Sequence, residues 1–307
     1  MMKKLVIGTI FLASLLVSNS YAQQDPLFTH YLQNPIAYNP AIAGTVGGLN
    51  LSLLSRHQWI GMDGAPASYS FGAHTPYIKQ NMGLGFNMMT DKAGPLRATH
   101  ITASYAYQIT LIEGLKLSMG LKAGVSTYNA KVNGISVIDT TDPEFQSNEN
   151  RVNPNMGVGF YLYDENNTYY AGFSAPRLIE PKLNKEYRNS GEPYNPQMYL
   201  MGGYNLIINH DWVFMPSMLL GIMGGSPMSA DVTAQFLYLN KFNFGTHYRA
   251  GDAAGLFFNG KVNNDLTLGY AFDFTLNKLS RVNSGTHELM ITYTFDDIWN
   301  KLKGWKF

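Results

Sequence analysis

The sequence predicts an all-β chain, a transmembrane antiparallel β-barrel of about fourteen strands with short periplasmic turns and longer extracellular loops. Three observations predict it. Side chains alternate in character with a period of two along most of the chain, the bulky apolar face opposes a face of small and polar residues, and connection lengths sort by parity.

The alternation is plain from Leu266 to Leu276, where every even position is large and apolar and every odd one is small or polar. From Leu115 to Val125 the odd positions carry Leu115, Leu117, Met119, Leu121, Ala123 and Val125 against Lys116, Ser118, Gly120, Lys122 and Gly124. Leu289, Ile291, Tyr293 and Phe295 likewise oppose Glu288, Met290, Thr292 and Thr294. A soluble barrel turns bulky aliphatics inward and charge outward. Here the crowded face is greasy and aromatic, which suits lipid, and the sparse face of Gly, Ser, Thr and Asn suits a wide polar interior. The segment from Trp212 to Ile222 is apolar on both faces and has no clear orientation. Charged residues make up 14% of the chain, below the ~25% usual for soluble domains.

Strands are predicted to start near Leu49, Ala67, Met82, Ala98, Leu115, Asn155, Thr168, Gln197, Trp212, Ser229, Phe242, Ala254, Leu266 and Thr286. With Gln23 placed in the periplasm, the even-numbered connections are short turns such as Glu113-Gly114, Asn209-His210-Asp211 and Asn240-Lys241. The odd-numbered ones include every long loop: Asp91 to Arg97, Asn129 to Asn153, Ala175 to Pro196 and Asn277 to Gly285. A soluble β protein has no reason to sort its loops in this way, whereas outer-membrane barrels do.

Residues 1–22 read as a cleavable signal peptide, with Lys3 and Lys4, an apolar Leu5–Val17 core too short to span a bilayer, and Ser20-Tyr21-Ala22 before a mature start at Gln23. The remaining divisions are residues 23–46 as an N-terminal periplasmic or plug segment, 47–295 as the barrel, and 296–307 as an interfacial tail carrying Trp299 and Trp305. The outer membrane is the expected location. Two Asn-Pro pairs, Asn34-Pro35 and Asn39-Pro40, keep segment 23–46 out of regular helix or strand, because Pro lacks an N–H and restrains its predecessor.

Several function classes drop out. A net charge of +1 makes no electrostatic case for nucleic acid. The absence of Cys excludes disulfides and Cys-ligated metals. No G-x-S-x-G, H-E-x-x-H, P-loop or G-x-G-x-x-G motif occurs, so no enzyme activity, cofactor or metal is expected. The predicted lumen carries Arg56, Lys116, Lys122, Arg249 and Lys261 against Asp231, Asp273 and Glu288, and mixed signs suggest internal ion pairs. Arg249, Lys261, Asp273 and Glu288 fall on inward faces of the last four strands and are expected to form one network. Aromatic and charged loop residues, Asp142, Phe145, Tyr187, Arg188 and Tyr194, are the candidates for partner binding.

The string from Gln24 to Gly44, Q-D-P-x-F…Y…N-P…N-P-A-x-A-G, resembles the amino terminus of the PorP/SprF family of the type IX secretion system. Arg56-His57-Gln58-Trp59, Asp142-Pro143-Glu144-Phe145, the run Asn153 to Gly159, Tyr169 to Ser174 and Gly285-Thr286-His287-Glu288 extend the likeness along the mature chain. The resemblance implies an outer-membrane partner of type IX secretion. Such a protein binds or anchors secreted surface proteins, gliding adhesins among them, through their C-terminal domains, and works beside other secretion components. A general diffusion pore and a soluble exported β protein are the competing readings.

Overall fold

In a computed structural model, residues 25–77, 81–131, 149–179 and 195–295 are described. They form one closed antiparallel sheet: β1 (Leu49–His57), β2 (Ala67–Tyr77), β3 (Met82–Ala93), β4 (Leu96–Ile112), β5 (Leu115–Ala130), β6 (Glu149–Asp164), β7 (Tyr169–Ile179), β8 (Gln197–Tyr204, resuming at Leu206–Ile207), β9 (Trp212–Met223), β10 (Ser229–Tyr238), β11 (Phe242–Arg249), β12 (Ala253–Lys261), β13 (Leu266–Thr275) and β14 (Thr286–Phe295). Each strand pairs with its chain neighbours, and β14 closes on β1 from Leu49 opposite Phe295 to His57 opposite His287. Closure leaves no free sheet edge, the condition for strands to cross hydrocarbon. No helix among the described residues is long and apolar enough to span a membrane.

The inside and the outside of this sheet differ as lipid and protein interior differ. Leu121, Phe160, Phe173, Leu256, Phe258, Leu268, Phe274, Leu289 and Ile291 stand exposed on the outer surface. Ser52, Ser70, Ser118, Ser126, Thr102, Ser174 and Thr233 are buried on the inner one. Exposed Tyr77, Tyr169 and Tyr204 lie at the ends of their strands beside the short turns, and exposed Tyr107 stands opposite Met82 at the start of β3, where amphipathic rings favour the headgroup level.

Two long loops of the sequence reading are shorter in the structure, and a third is a hairpin turn. β3 and β4 pair to their ends at Ala93 and Leu96, so the segment from Asp91 to Arg97 is strand except for the turn Gly94-Pro95. Gly94 takes φ +56° ahead of a proline, the residue order of a two-residue type II′ hairpin, which matches strand twist. β5 and β6 pair as far as Ala130 and Glu149, six residues ahead of the predicted start of β6 at Asn155, and β7 runs to Ile179. Pro154 did not end β6, where it stands opposite Val125.

The lumen holds the segment from Asp25 to Val46. It folds as three short 3-10 turns, Tyr31–Gln33, Pro35–Ala37 and Pro40–Ile42, that cross the barrel from one mouth to the other before β1 begins. Leu27, Phe28, Tyr31, Ile36, Tyr38 and Ile42 form an apolar cluster with inward-facing Leu54, Met89, Tyr199, Met201, Leu219 and Met290. This cluster explains β9, which is apolar on both faces: Leu219 is fully buried against the plug while Met218 and Ile222 face outward.

Candidate functional site in the plugged lumen

Shape and charge hold the plug at different levels. In the half near the short turns, wall glycines make room for it. A Cβ on Gly83 would overlap the Ala43 carbonyl, one on Gly120 the Ala41 backbone, and one on Gly159 the Asn39 side chain. Gly120 and Gly159 stand opposite each other in β5 and β6 and form one concave seat for the turn Pro40–Ile42. Ser118 donates to the Ala41 carbonyl at 2.6 Å, Lys122 to that of Ala37 at 3.1 Å, and Gln108 to that of Gly44 at 3.0 Å. These donors satisfy plug carbonyls that no regular ladder could reach.

The two Asn-Pro pairs have a clear physical role. Asn39 Oδ1 accepts from the Ala41 N–H at 3.0 Å and caps the third turn, with Pro40 at its first position, where the missing N–H costs nothing. Its Nδ2 donates to the Phe160 carbonyl at 2.9 Å, so one side chain both shapes the turn and ties it to β6. Asn34 Nδ2 donates to Ser70 Oγ of β2 at 2.8 Å, and Pro35 starts the second turn. Burial pushes the Tyr31 and Tyr38 hydroxyls well above the ordinary phenol range, so both stay neutral. Tyr31 donates to Ser217 Oγ at 2.9 Å, and the Phe28 N–H donates to Tyr38 Oη at 3.0 Å.

In the opposite half the attachment is ionic. Glu288 of β14, 1% exposed, accepts from the Thr29 N–H at 2.9 Å and the His30 N–H at 2.8 Å, and its Oε1 lies 2.8 Å from His30 Nδ1. Arg56, opposite Glu288 in the β1–β14 register, bonds to Glu288 at 3.1 Å, to Asp273 at 2.7 Å and to Thr29 Oγ1 at 3.1 Å. Asp231 and Arg249 are another cross-strand pair, 2.9 Å apart, and His247 lies between Asp231 at 3.3 Å and Asp273 at 2.8 Å. His247 and Asp273 belong to strands separated by β12 and meet because residue 255 between them is Gly, whose Cβ would overlap both.

Of the four residues expected in one network, Arg249, Asp273 and Glu288 come together and Lys261 does not. Lys261 ends β12 beside the short turns, half-exposed, and its Nζ donates to Asn240 Oδ1 at 3.3 Å. It shares their inward parity but sits some eight residues down β12 from Ala253, about 26 Å at the usual strand rise. Parity assigns a face; height depends on register. Lys116 likewise pairs at the rim, with Glu165 at 2.8 Å. Strand periodicity carries no sign of His30 and Thr29, which come from the plug, and does not by itself join Asp231 and His247 to the set. For those two, adjacent inward positions in β10 and β11 carried the signal. Asp142, Phe145, Tyr187, Arg188 and Tyr194 lie outside the described residues, as do residues 1–24 and the tail 296–307.

Thr29 Oγ1, His247 and Asp231 stand in the order of a hydroxyl–imidazole–carboxylate triad, at 3.4 and 3.3 Å. The hydroxyl is already spent. It donates to the Asp273 carboxylate, 3.1 and 3.2 Å away, and accepts from Arg56, so its proton does not face the base. No cluster of three or more metal-ligating His, Cys, Asp or Glu was found among the described residues.

At the top of the plug, Asp25 forms an ion pair with Arg177 of β7, and its N–H donates to Gln197 Oε1 at 2.9 Å. Burial works against the Asp25 carboxylate, but Arg177, with His100 and Lys122 beyond it, holds it below the usual carboxylate value.

The family model of the type IX secretion system membrane protein PorP/SprF matches residues 20–293. The chain belongs to this family. PorP/SprF membership and the closed barrel together place it among outer-membrane proteins associated with the type IX system. Among solved structures, the CymD monoaromatic hydrocarbon channel is 10% identical with a TM-score of 0.51, over 91% of this chain and 95% of that one. Omp33 of Acinetobacter baumannii is 7% identical with a TM-score of 0.46, over 82% of this chain and 100% of that one. CdiB from Acinetobacter baumannii is 8% identical with a TM-score of 0.45 over 81% of this chain, which spans only 60% of CdiB. At such identities the first likeness speaks for the barrel fold alone. No curated protein matches the chain.

Proposed function

We propose that this PorP/SprF protein is a sealed outer-membrane scaffold that receives a surface protein exported by type IX secretion and holds it at the cell surface through that protein's C-terminal domain. The observation that carries the reading is the filled lumen. A segment of the chain itself occupies the barrel from mouth to mouth, clamped by Glu288, Asp273 and Arg56 and seated on Gly120 and Gly159. A barrel closed in this way has its outer face, not a channel, to offer a partner. Export through a signal peptide cleaved before Gln23 belongs to the same reading. So does docking through Asp142, Phe145, Tyr187, Arg188 and Tyr194, whose aromatic and Arg side chains suit protein recognition. Gliding adhesins are one class of cargo it would hold.

The test is a pull-down of the tagged chain in mild detergent, with mass spectrometry of the co-purifying proteins and a planar-bilayer recording of the same preparation. The reading expects a large exported protein in the pull-down and no steady conductance. Steady conductance with no co-purifying protein would favour the general diffusion pore instead.

A further inference from the structure

The outer surface of the β3–β4 hairpin changes character along its length. The ladder runs from Met82 opposite Tyr107, beside the short turns, to Lys92 opposite Arg97 near the hairpin tip. Its outward residues meet in cross-strand pairs. Met88 faces Ile101, then Thr90 faces Thr99, then Lys92 faces Arg97. Met88 and Ile101 are exposed, as are Leu84 and Phe86 below them, which suits contact with hydrocarbon. Thr90 and Thr99 bond to each other through their hydroxyls at 3.0 Å, and the two cations above them are exposed. Ten residues separate Met82 from Lys92. That is about 33 Å along the strand, or about 25 Å in height at the usual tilt of barrel strands. The apolar band of outer-membrane barrels is about 25 Å tall. Lys92 and Arg97 therefore stand at its upper boundary, at the level of lipid headgroups.

Like charges directly opposite each other in a sheet are destabilising, and an anion between them reverses the sign. The wall supplies no such anion. Among the described residues neither Lys92 nor Arg97 has an ion pair or a side-chain hydrogen bond. Ala67 of β2 lies opposite Lys92, and Asn129 of β5 lies opposite Arg97. Outward positions of β2 to β5 carry no Asp or Glu, and Asp91 points inward, where it accepts from Ser68. The loop between β1 and β2 meets the hairpin where the Gly94 N–H donates to the Gly64 carbonyl at 2.9 Å, but its Asp63 forms no ion pair among the described residues.

We infer that Lys92 and Arg97 hold the phosphate of a lipid headgroup in the outer leaflet, with the acyl chains lying along Met88, Ile101 and Val125 below. The planar fork of Arg97 suits two phosphate oxygens at once, and Lys92 adds a point charge. Val125 stands opposite Ile101 and is 41% exposed, so the apolar surface continues across β3, β4 and β5. This continuity favours a lipid over a free anion, because one molecule neutralises the cations and covers the apolar stripe beneath them. The inference depends on a barrel whose long loops face outward, and not on which partner docks there.

The test titrates the purified full chain, in a non-ionic detergent, with a monophosphorylated acyl-disaccharide lipid and with the same lipid stripped of its phosphate. Native mass spectrometry counts the lipid bound. The phosphorylated form is expected to bind about thirtyfold more tightly. Lys92→Gln and Arg97→Gln should each weaken its binding about fivefold, and the double variant about thirtyfold. Lys241→Gln, which removes an exposed cation at the short-turn rim, should leave binding unchanged. All three positions are exposed, so the variants should keep their folded gel mobility. Equal binding of the two lipids by the parent chain would overturn the inference without recourse to any variant. A loss in Lys241→Gln as large as that in Lys92→Gln would also overturn it, by showing attraction to any surface cation. Complete displacement of the lipid by millimolar inorganic phosphate would mark a site for free anions and overturn the lipid assignment.

Discussion

At the scale of single residues, the ionic half of the lumen is the most exposed to mutation. Asp273 receives Arg56 at 2.7 Å and His247 at 2.8 Å, with Arg249 at 3.9 Å, all with nearly buried side chains. Asp273→Ala would leave two guanidinium groups short of a counter-ion, and breaking buried pairs of this kind typically costs about 3–5 kcal/mol. The variant should lose its folded gel mobility at a lower temperature than the parent chain, and an unchanged transition would deny the network any structural weight. Gly120→Val probes the other half. Its side chain would collide with the Ala41 backbone, and overpacking of this kind costs about 1–3 kcal/mol or expels the offending segment. Limited proteolysis near Pro40 should then become faster, while the equivalent change at Gly260, where a Cβ would meet nothing nearer than 3.5 Å, should not accelerate it.

At the scale of elements, the top of the plug should respond to acid. The Asp25 carboxyl is held below its ordinary value in the folded chain, so it stabilises the seated plug above the usual carboxylate range. That contribution fades as the pH falls through about 4 and is gone once the folded group also protonates. Hydrogen exchange at the Asp25 amide, corrected for its intrinsic rate, should show protection at pH 6 that declines toward pH 3; constant protection would mean that the ion pair with Arg177 does not hold the first turn. The strands themselves were legible in the sequence, because alternation reports directly on which face meets lipid. Most starts agree within two residues, as at Leu49, Met82 and Trp212. Local cues obscure the strand limits at two places. Gly94-Pro95 and Pro154 looked like loop, yet a two-residue turn and one outward position absorb them. The site was legible only in part. Inward parity found Arg249, Asp273 and Glu288, but a lone sequence carries no register, so Lys261 was placed with them from the far end of β12.

At the scale of the whole molecule, the plug decides what kind of barrel this is. Removing residues 25–46 should open a conducting path, because Ser, Thr, Asn and charged side chains share the plug-facing wall with the apolar ones and water would solvate them. A planar-bilayer recording checks this, and silence of the deletion variant would mean that something besides the plug blocks the lumen. The sequence could state the plug only as one of two options. Its Pro-rich string shows that it is neither helix nor strand, whereas its seat is built from glycines scattered over four strands, Gly72, Gly83, Gly120 and Gly159, whose purpose emerges only when they meet around Asn34, Asn39, Ala41 and Ala43.

The junction at Gly44–Gly48 gives this stopper a direction. Its tail is welded to the first stave of the cask on the side of the short turns, and Asp25 lies toward the opposite mouth. Traction from beneath would draw the segment out of the bore altogether, whereas traction from above would at most stretch it along the bore, still threaded through and held by that weld.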